Sequence, residues 1–224
     1  MTRVKICGIT DREDLSTAVN AGADSVGFVT EVPVDTPRNL NIRKAEQLVK
    51  ETPPFVTSTL VIMPDSVEGA IDLVGRASPD LVQVHNYPEP DDVARLSDET
   101  ETKVVKKIEP DTDEMERYSG VVDAFLVDSS DEQGGGGTGE THDWSKTSEI
   151  VERTHIPVVL AGGLTPQNVG DAVESVHPYG VDVSSGVESS GGEKSPDLVR
   201  GFVENVRNAQ PGQGERGEYS VRRV

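Results

Sequence analysis

Val4-Lys5-Ile6-Cys7-Gly8-Ile9-Thr10 reads as a short strand giving way to a loop. Apolar Val4 and Ile6 alternate with Lys5, Gly8 permits a turn, and Thr10-Asp11-Arg12-Glu13 has the spacing of a capping box that starts a helix. Cys7, the one cysteine of the chain, stands where the strand ends. Loops at the carboxyl ends of strands are where α/β proteins carry their chemistry, so a thiol there is a candidate catalytic group. A single cysteine in a strand is also commonly a small buried hydrophobe. The rest of the chain has to separate the two.

The same strand–loop–helix unit recurs along the sequence. Eight β-rich runs, at residues 4–6, 25–29, 57–62, 81–85, 104–108, 124–127, 158–160 and 181–184, start 20 to 34 residues apart, and each is followed by a helix-like stretch. Eight units of that length predict an α/β fold, a single (β/α)8 TIM barrel over residues 1–207. A doubly wound sheet has fewer strands as a rule and needs a glycine-rich phosphate turn after its first strand, whereas the glycines here come late. Asp65-Ser66-Val67-Glu68 resembles a second capping box. Thr165-Pro166 and Ser195-Pro196 each place a capping hydroxyl before a proline suited to the first helical position. Residues 208–224, rich in Gln, Gly and Arg and without apolar periodicity, read as a short flexible C-terminal tail.

Charge says more about the solvent than about the reaction. Forty Asp and Glu oppose 21 Lys and Arg, a formal net charge of −19, with 34% hydrophobic residues. Regular apolar periodicity argues against disorder. A polyanion would be repelled, so no nucleic-acid partner is expected. Arginines outnumber lysines, 13 to 8, and acids such as Asp91/Asp92 and Glu149/Glu152 crowd the expected helix faces. That pattern resembles proteins adapted to very high salt, where a Debye length of about 3 Å or less screens self-repulsion. One cysteine allows no internal disulfide and no Cys-based structural zinc site, which fits a reducing compartment. No basic-then-apolar leader and no run near the ~18 apolar residues of a membrane helix occur, so a cytoplasmic location with no membrane partner is expected. Monomer and homodimer both remain open.

Two long connections follow strands and should therefore crown the catalytic face: residues 30–40, with Pro33, Pro37 and Arg38, and residues 128–143, with Gly134 to Gly137, Thr138 and Gly139. Three late strand ends carry Gly or Ser: Gly136-Gly137-Thr138-Gly139, Ala161-Gly162-Gly163-Leu164 and Ser184-Ser185-Gly186. Barrels commonly hold a phosphate on backbone N–H groups after strands seven and eight, where a Cβ would keep the anion away. Plain turns and helix caps are the competing reading. No Gly-Lys-Ser/Thr follows, which excludes a nucleotide-triphosphate loop. No His/Cys/Asp cluster at ligand spacing calls for a metal.

Taken in order, the segment from Val4 to Thr10, Gly22-Ala23-Asp24-Ser25-Val26-Gly27-Phe28, Pro37-Arg38, Val82-Gln83-Val84-His85, Leu126-Val127-Asp128-Ser129, Gly136-Gly137-Thr138-Gly139 with Asp143-Trp144, Ala161-Gly162-Gly163-Leu164 and Val181-Asp182-Val183-Ser184-Ser185-Gly186-Val187-Glu188 resemble the successive motifs of phosphoribosylanthranilate isomerase, from residue 4 to about 206. Asn86 departs from the glycine usual in the family. The resemblance implies an Amadori rearrangement in tryptophan biosynthesis, converting an aminoaldose phosphosugar to an aminoketose without cofactor or metal. It implies Cys7 as general base, Asp128 as general acid and Arg38 on the anthranilate carboxylate. Gly137, Gly162, Gly163, Asp182, Ser185 and Gly186 complete the expected substrate site. An aminoaldose isomerase of histidine biosynthesis is the nearest rival enzyme, but those barrels rely on paired aspartates. A non-catalytic phosphate-ligand-binding barrel is the rival from another class.

Strand alternation adds an expectation of its own. If Cys7 faces the barrel mouth, Lys5 faces the interior one layer below, and Asp182 on strand eight adjoins it once the barrel closes. A buried lysine rarely goes unpaired, so Lys5 and Asp182 should interact, with Lys5 favouring the Cys7 thiolate. A nearby cation should lower the Cys7 pKa, and partial burial should raise that of Asp128. His85 reads as a structural hydrogen-bonding residue, while the role of Lys106 stays open.

Overall fold

The computed structural model describes residues 1–85, 89–110, 113–128 and 144–209. Its elements run β1 (Arg3–Cys7), α1 (Arg12–Ala21), β2 (Ser25–Val29), α2 (Ile42–Glu51), β3 (Thr57–Ile62), α3 (Val67–Ala77), β4 (Leu81–Val84), α4 (Pro90–Thr100), β5 (Lys103–Ile108), α5 (Glu114–Tyr118), β6 (Ala124–Asp128), α6 (Trp144–Arg153), β7 (Val158–Ala161), α7 (Val169–Val176) and β8 (Gly180–Val183). A 3-10 turn (Ser185–Val187), a hairpin of β9 (Glu188–Ser190) and β10 (Glu193–Lys194), and α8 (Pro196–Asn208) complete it. β1 to β8 pair in parallel and in sequence order, and β8 returns to β1, closing the barrel.

Two cores follow from the period-2 alternation. Outward-facing Val4, Ile6, Val26, Phe28, Leu60 and their counterparts join the buried helix faces in one continuous apolar layer. The barrel interior holds a smaller apolar cluster of Val105, Leu126 and Ala161. Much of the remaining interior is polar: Lys5, Thr59, Gln83 and Asp182 are all buried.

Local starts differ in detail from the sequence reading. α1 is capped by Asp11, whose carboxylate accepts from the N–H groups of Glu13 and Asp14 at 2.9 Å each, one residue after the expected Thr10. Thr10 donates instead to Asp14 and to the Gly192 carbonyl, tying this loop to the β9–β10 hairpin. Ser195 caps α8 as expected, whereas α3 is capped by Ser66, one residue after the Asp65 that opens the expected box. Thr165-Pro166 does not start α7: Asn168 takes the Thr165 N–H at 2.8 Å and the helix begins at Val169. β4 stops at Val84, although the His85 N–H still bonds to Ile62 O. α8 runs to Asn208, one residue into the stretch assigned to the tail; Ala209 caps it, and the rest of that stretch lies outside the described residues.

Candidate active site

β1 ends on Cys7 because Gly8, at φ 74°, turns the chain out of the sheet. The absent side chain of Gly8 has a second use. A Cβ there would stand 2.7 Å from Arg38 Cδ and 2.9 Å from Ser184 Oγ, so the Arg38 stem crosses directly over the end of β1. The 30–40 loop that delivers Arg38 is closed at its base by Thr30, which donates to the Leu40 carbonyl at 2.8 Å, and by reciprocal bonds between Asn39 and Val32.

Arg38 does not stand alone. Its Nε and Nη2 donate to the two carboxylate oxygens of Glu188 at 2.8 and 2.6 Å, and Lys194 Nζ donates to the same carboxylate at 2.8 Å. Glu188 is 5% exposed and Lys194 fully buried, so this is an enclosed network rather than a surface pair. Burial pushes the Glu188 carboxyl up, but the hydrogen bonds from Arg38 and Lys194 outweigh it and hold the group below its ordinary value. The Gly191-Gly192 turn of the hairpin packs against Pro37, and the Gly192 N–H donates to Glu188.

Cys7 is buried, with Lys5 two residues below it on the same interior line. Lys5 Nζ donates to Asp182 Oδ2 at 2.9 Å, and the two residues are register partners across β1 and β8. The expected pairing is present. The expected lowering of the thiol is not: burial pushes Cys7 up, Lys5 and Lys194 pull it down, and Asp182 pushes it up again, leaving the thiol above its ordinary value. Desolvation beats a cation that already has a partner.

Asp128 ends β6 on the interior face that Ala124 and Leu126 define, across the barrel from β1. Its charge is felt by Asp182 and by His85. His85 Nε2 lies 2.7 Å from Gln83 Nε2, and burial lowers its pKa to about 3. A neutral imidazole accepting from the Gln83 amide fits the structural role expected of it. Lys106 faces the other way. It lies outside the barrel with Nζ 5.4 Å from the Tyr118 ring centroid, and burial lowers its pKa. The inward lysine of β5 is Lys107, whose charge acts on His85 and which pairs with Glu109.

The late glycines gather at the same rim. Gly162 and Gly163, at φ 89° and 60°, follow β7, and Ser185 and Gly186 lie in the 3-10 turn after β8. These two turns touch: a Cβ on Gly186 would stand 1.9 Å from the Leu164 carbonyl oxygen, an impossible distance. Asp182 Oδ1 and Ser184 Oγ are buried without a hydrogen-bond partner among the described residues. Gly137, Ser129 and Asn86 lie outside the described residues.

Glu188 and Lys194 are what sequence reasoning missed. The usable signal was Gly191-Gly192 between two short polar runs, the mark of a tight hairpin. A separate cavity of about 340 Å3 opens at the opposite, N-terminal face, walled by Arg3, Ser25, Thr57, Leu81 and Gln83 and rimmed by Phe55 and Tyr179. No group of three potential metal ligands occurs among the described residues.

Residues 4–205 match the family model of N-(5'phosphoribosyl)anthranilate (PRA) isomerase. The chain is 51% identical to N-(5'-phosphoribosyl)anthranilate isomerase of Haloarcula marismortui, over 95% of this chain and 99% of the relative, and 51% identical to that of Natronomonas pharaonis, over 94% and 100%. Among solved structures it resembles phosphoribosyl anthranilate isomerase from Thermotoga maritima with a TM-score of 0.82 and 34% identity, covering 92% of this chain and 99% of that one. It also resembles a phosphoribosyl anthranilate isomerase in complex with reduced 1-(o-carboxyphenylamino)-1-deoxyribulose 5-phosphate, with a TM-score of 0.78 and 33% identity over 92% and 99%.

Proposed function

Because the chain belongs to the N-(5'-phosphoribosyl)anthranilate isomerase family, we propose that it catalyses the Amadori rearrangement of N-(5-phosphoribosyl)anthranilate in tryptophan biosynthesis, with Cys7 as base and Asp128 as acid. The observation that carries the reading is the shared rim. A thiol from β1 and a carboxyl from β6 end on the interior side of one mouth, beneath Arg38 and beside the paired glycine turns of β7 and β8.

Asp128 gives its proton to the furanose ring oxygen as the bond from that oxygen to C1 breaks, leaving a protonated Schiff base. The Cys7 thiolate takes the proton from C2, and the electron pair of that bond forms the C1–C2 double bond of an enolamine. Tautomerisation adds a proton at C1 as the C2 hydroxyl loses one, giving the open-chain ketone with no net change in composition. A thiol held above its ordinary value is a strong base once ionised, which suits abstraction from carbon. The chemistry moves protons only and needs no cofactor.

The substrate has two anionic ends, and the rim has a place for each. Arg38 retains donors beyond those given to Glu188, and its fork suits the anthranilate carboxylate. Backbone near Gly163, Ser185 and Gly186 suits the phosphate, with Gly162 giving the turn its left-handed step. Asp182 Oδ1 and Ser184 Oγ offer buried acceptors for sugar hydroxyls. The neighbour bound to a reduced carboxyphenylamino-deoxyribulose phosphate supports a ligand with both ends. Turnover read as loss of anthranilate-substrate fluorescence in 3 M KCl tests the activity.

In solution the protein pairs as a homodimer through its N-terminal face and works in the cytoplasm. Phe55, held at φ 73° after Pro53-Pro54, is fully exposed beside the 340 Å3 cavity, and one solved relative at 32% identity comes from a phosphoribosylanthranilate isomerase described as dimeric. Light scattering should give twice the chain mass for the wild type and the single chain mass for Phe55→Glu. A monomeric wild type contradicts the pairing. No helix among the described residues is long and apolar enough to cross a membrane.

A further inference from the structure

We propose that Lys5 is one buried cation shared by two acids, Cys7 and Asp182, so that Lys5 favours the Cys7 thiolate while the Asp182 carboxylate holds that ionisation back. The catalytic meaning of this arrangement rests on Cys7 acting as the base. The arrangement itself rests on geometry.

Lys5 and Asp182 form a closed pair at 2.9 Å, with side chains only 10% and 9% exposed. Lys5 also reaches upward. A Cβ on Gly27 would lie 2.8 Å from Cys7 Sγ and 3.2 Å from Lys5 Cε, so the thiol and the lysine stem flank one small hollow, about 6 Å apart or less. Gly27, with no Cβ, leaves that hollow open, and the ammonium that bonds to Asp182 also exerts its charge on the sulfur. Asp182 Oδ1 has no hydrogen bond among the described residues, which leaves Lys5 as the main support of that carboxylate.

Other charges face the same space from every side. Lys194 on β10 acts on both Cys7 and Asp182, Asp128 on β6 acts on Asp182, and Arg38 senses Cys7 from above. Lys5 and Lys107 act on His85, which is neutral near pH 7. Lys194 and Arg38 are both bound to Glu188, so their fields at the sulfur are partly cancelled. Lys5 is the cation whose allegiance can change. Burial makes each acid costly to ionise alone, and one buried positive charge cannot fully compensate two. The charge on Asp182 therefore weakens what Lys5 offers the thiol. Lys5 is a positioning residue, acting on substrate chemistry through Cys7; Asp182 acts on Cys7 through the Oδ2 that holds Lys5, apart from the Oδ1 it offers to the sugar.

Iodoacetamide alkylation of Cys7 against pH, in 3 M KCl without substrate, reads the thiol directly because the chain holds no other cysteine. Asp182→Asn should move the alkylation midpoint down by about one pH unit or more, and Lys5→Met should move it up by a similar amount. A purely structural pair would shift both variants in one direction or neither, and either result overturns the proposal. Lys5→Met leaves a buried carboxylate unpaired and can fail to fold. Lys5→Met/Asp182→Asn carries no unpaired charge, and its midpoint should lie above the wild type; a midpoint at or below it also overturns the proposal. Normal turnover in Cys7→Ala would sink the acid–base reading while leaving these midpoints unaffected, so the two failures are distinguishable.

Discussion

Glu188 grips Arg38 side-on, taking Nε and Nη2 on its two carboxylate oxygens at 2.8 and 2.6 Å while Lys194 braces the same carboxylate from the buried side. Arg38 sits on a long loop, yet its guanidinium is anchored to the hairpin after β8, 150 residues away in sequence. The pairing fixes one edge of the fork, while Nη1 on the other edge makes only a long bond of 3.4 Å to Thr36 Oγ1.

Glu188→Gln keeps an oxygen for Lys194 but loses the charge and one of the two acceptors facing Arg38. Hydrogen bonds to charged groups contribute about 1.5–3 kcal/mol, so KM should rise by roughly 10- to 100-fold with a smaller change in kcat. Steady-state kinetics in 3 M KCl checks this. An unchanged KM would mean that Arg38 needs no brace.

The pH dependence of stability carries a mark of His85. Its folded pKa of about 3 lies below the ordinary 6.5, so between those values the unfolded chain binds a proton that the folded chain refuses. Stability from this group is complete above pH 6.5 and falls as pH drops toward 3. His85→Gln should therefore lose less stability than the wild type on acidification from pH 7 to 4, as measured by urea unfolding at fixed salt. Equal slopes for the two proteins would place a charged imidazole in the barrel.

A net charge of −19 on a chain this size sets a salt requirement. At 3 M KCl the Debye length is below about 3 Å and the acids of neighbouring helices no longer repel; at 0.1 M it is about 10 Å and they do. Thermal melts followed by circular dichroism should show a clearly higher midpoint at 3 M. The same midpoint at both concentrations would refute the halophilic reading.

How far the sequence could be read depends on which physical rule governs each residue. Cys7, Lys5, Asp128 and Asp182 all lie on short parallel strands, where period 2 and barrel closure dictate facing and neighbour, and the Lys5–Asp182 pair follows from those rules alone. Lys106 and Lys107 show the limit. In two consecutive lysines the parity of the strand decides which one enters the barrel, and only the register with Val105 and Ala124 supplies it. Position in the sequence places Arg38 on a loop, but its seat depends on the hollow at Gly8 and on Glu188, two contacts between segments that share no local pattern. The direction of the Cys7 shift was likewise hidden, because it is set by a contest between burial and a lysine that already has a partner.

The most direct measurement of the central claim is turnover of N-(5-phosphoribosyl)anthranilate by Cys7→Ala and Asp128→Asn beside the wild type, in 3 M KCl, with circular dichroism confirming each fold. Loss of a general acid or base costs about 10²- to 10⁴-fold in rate, and each variant should fall by at least that much while remaining folded. Near-wild-type turnover in either folded variant would contradict the pairing of thiol and carboxyl on which the account stands.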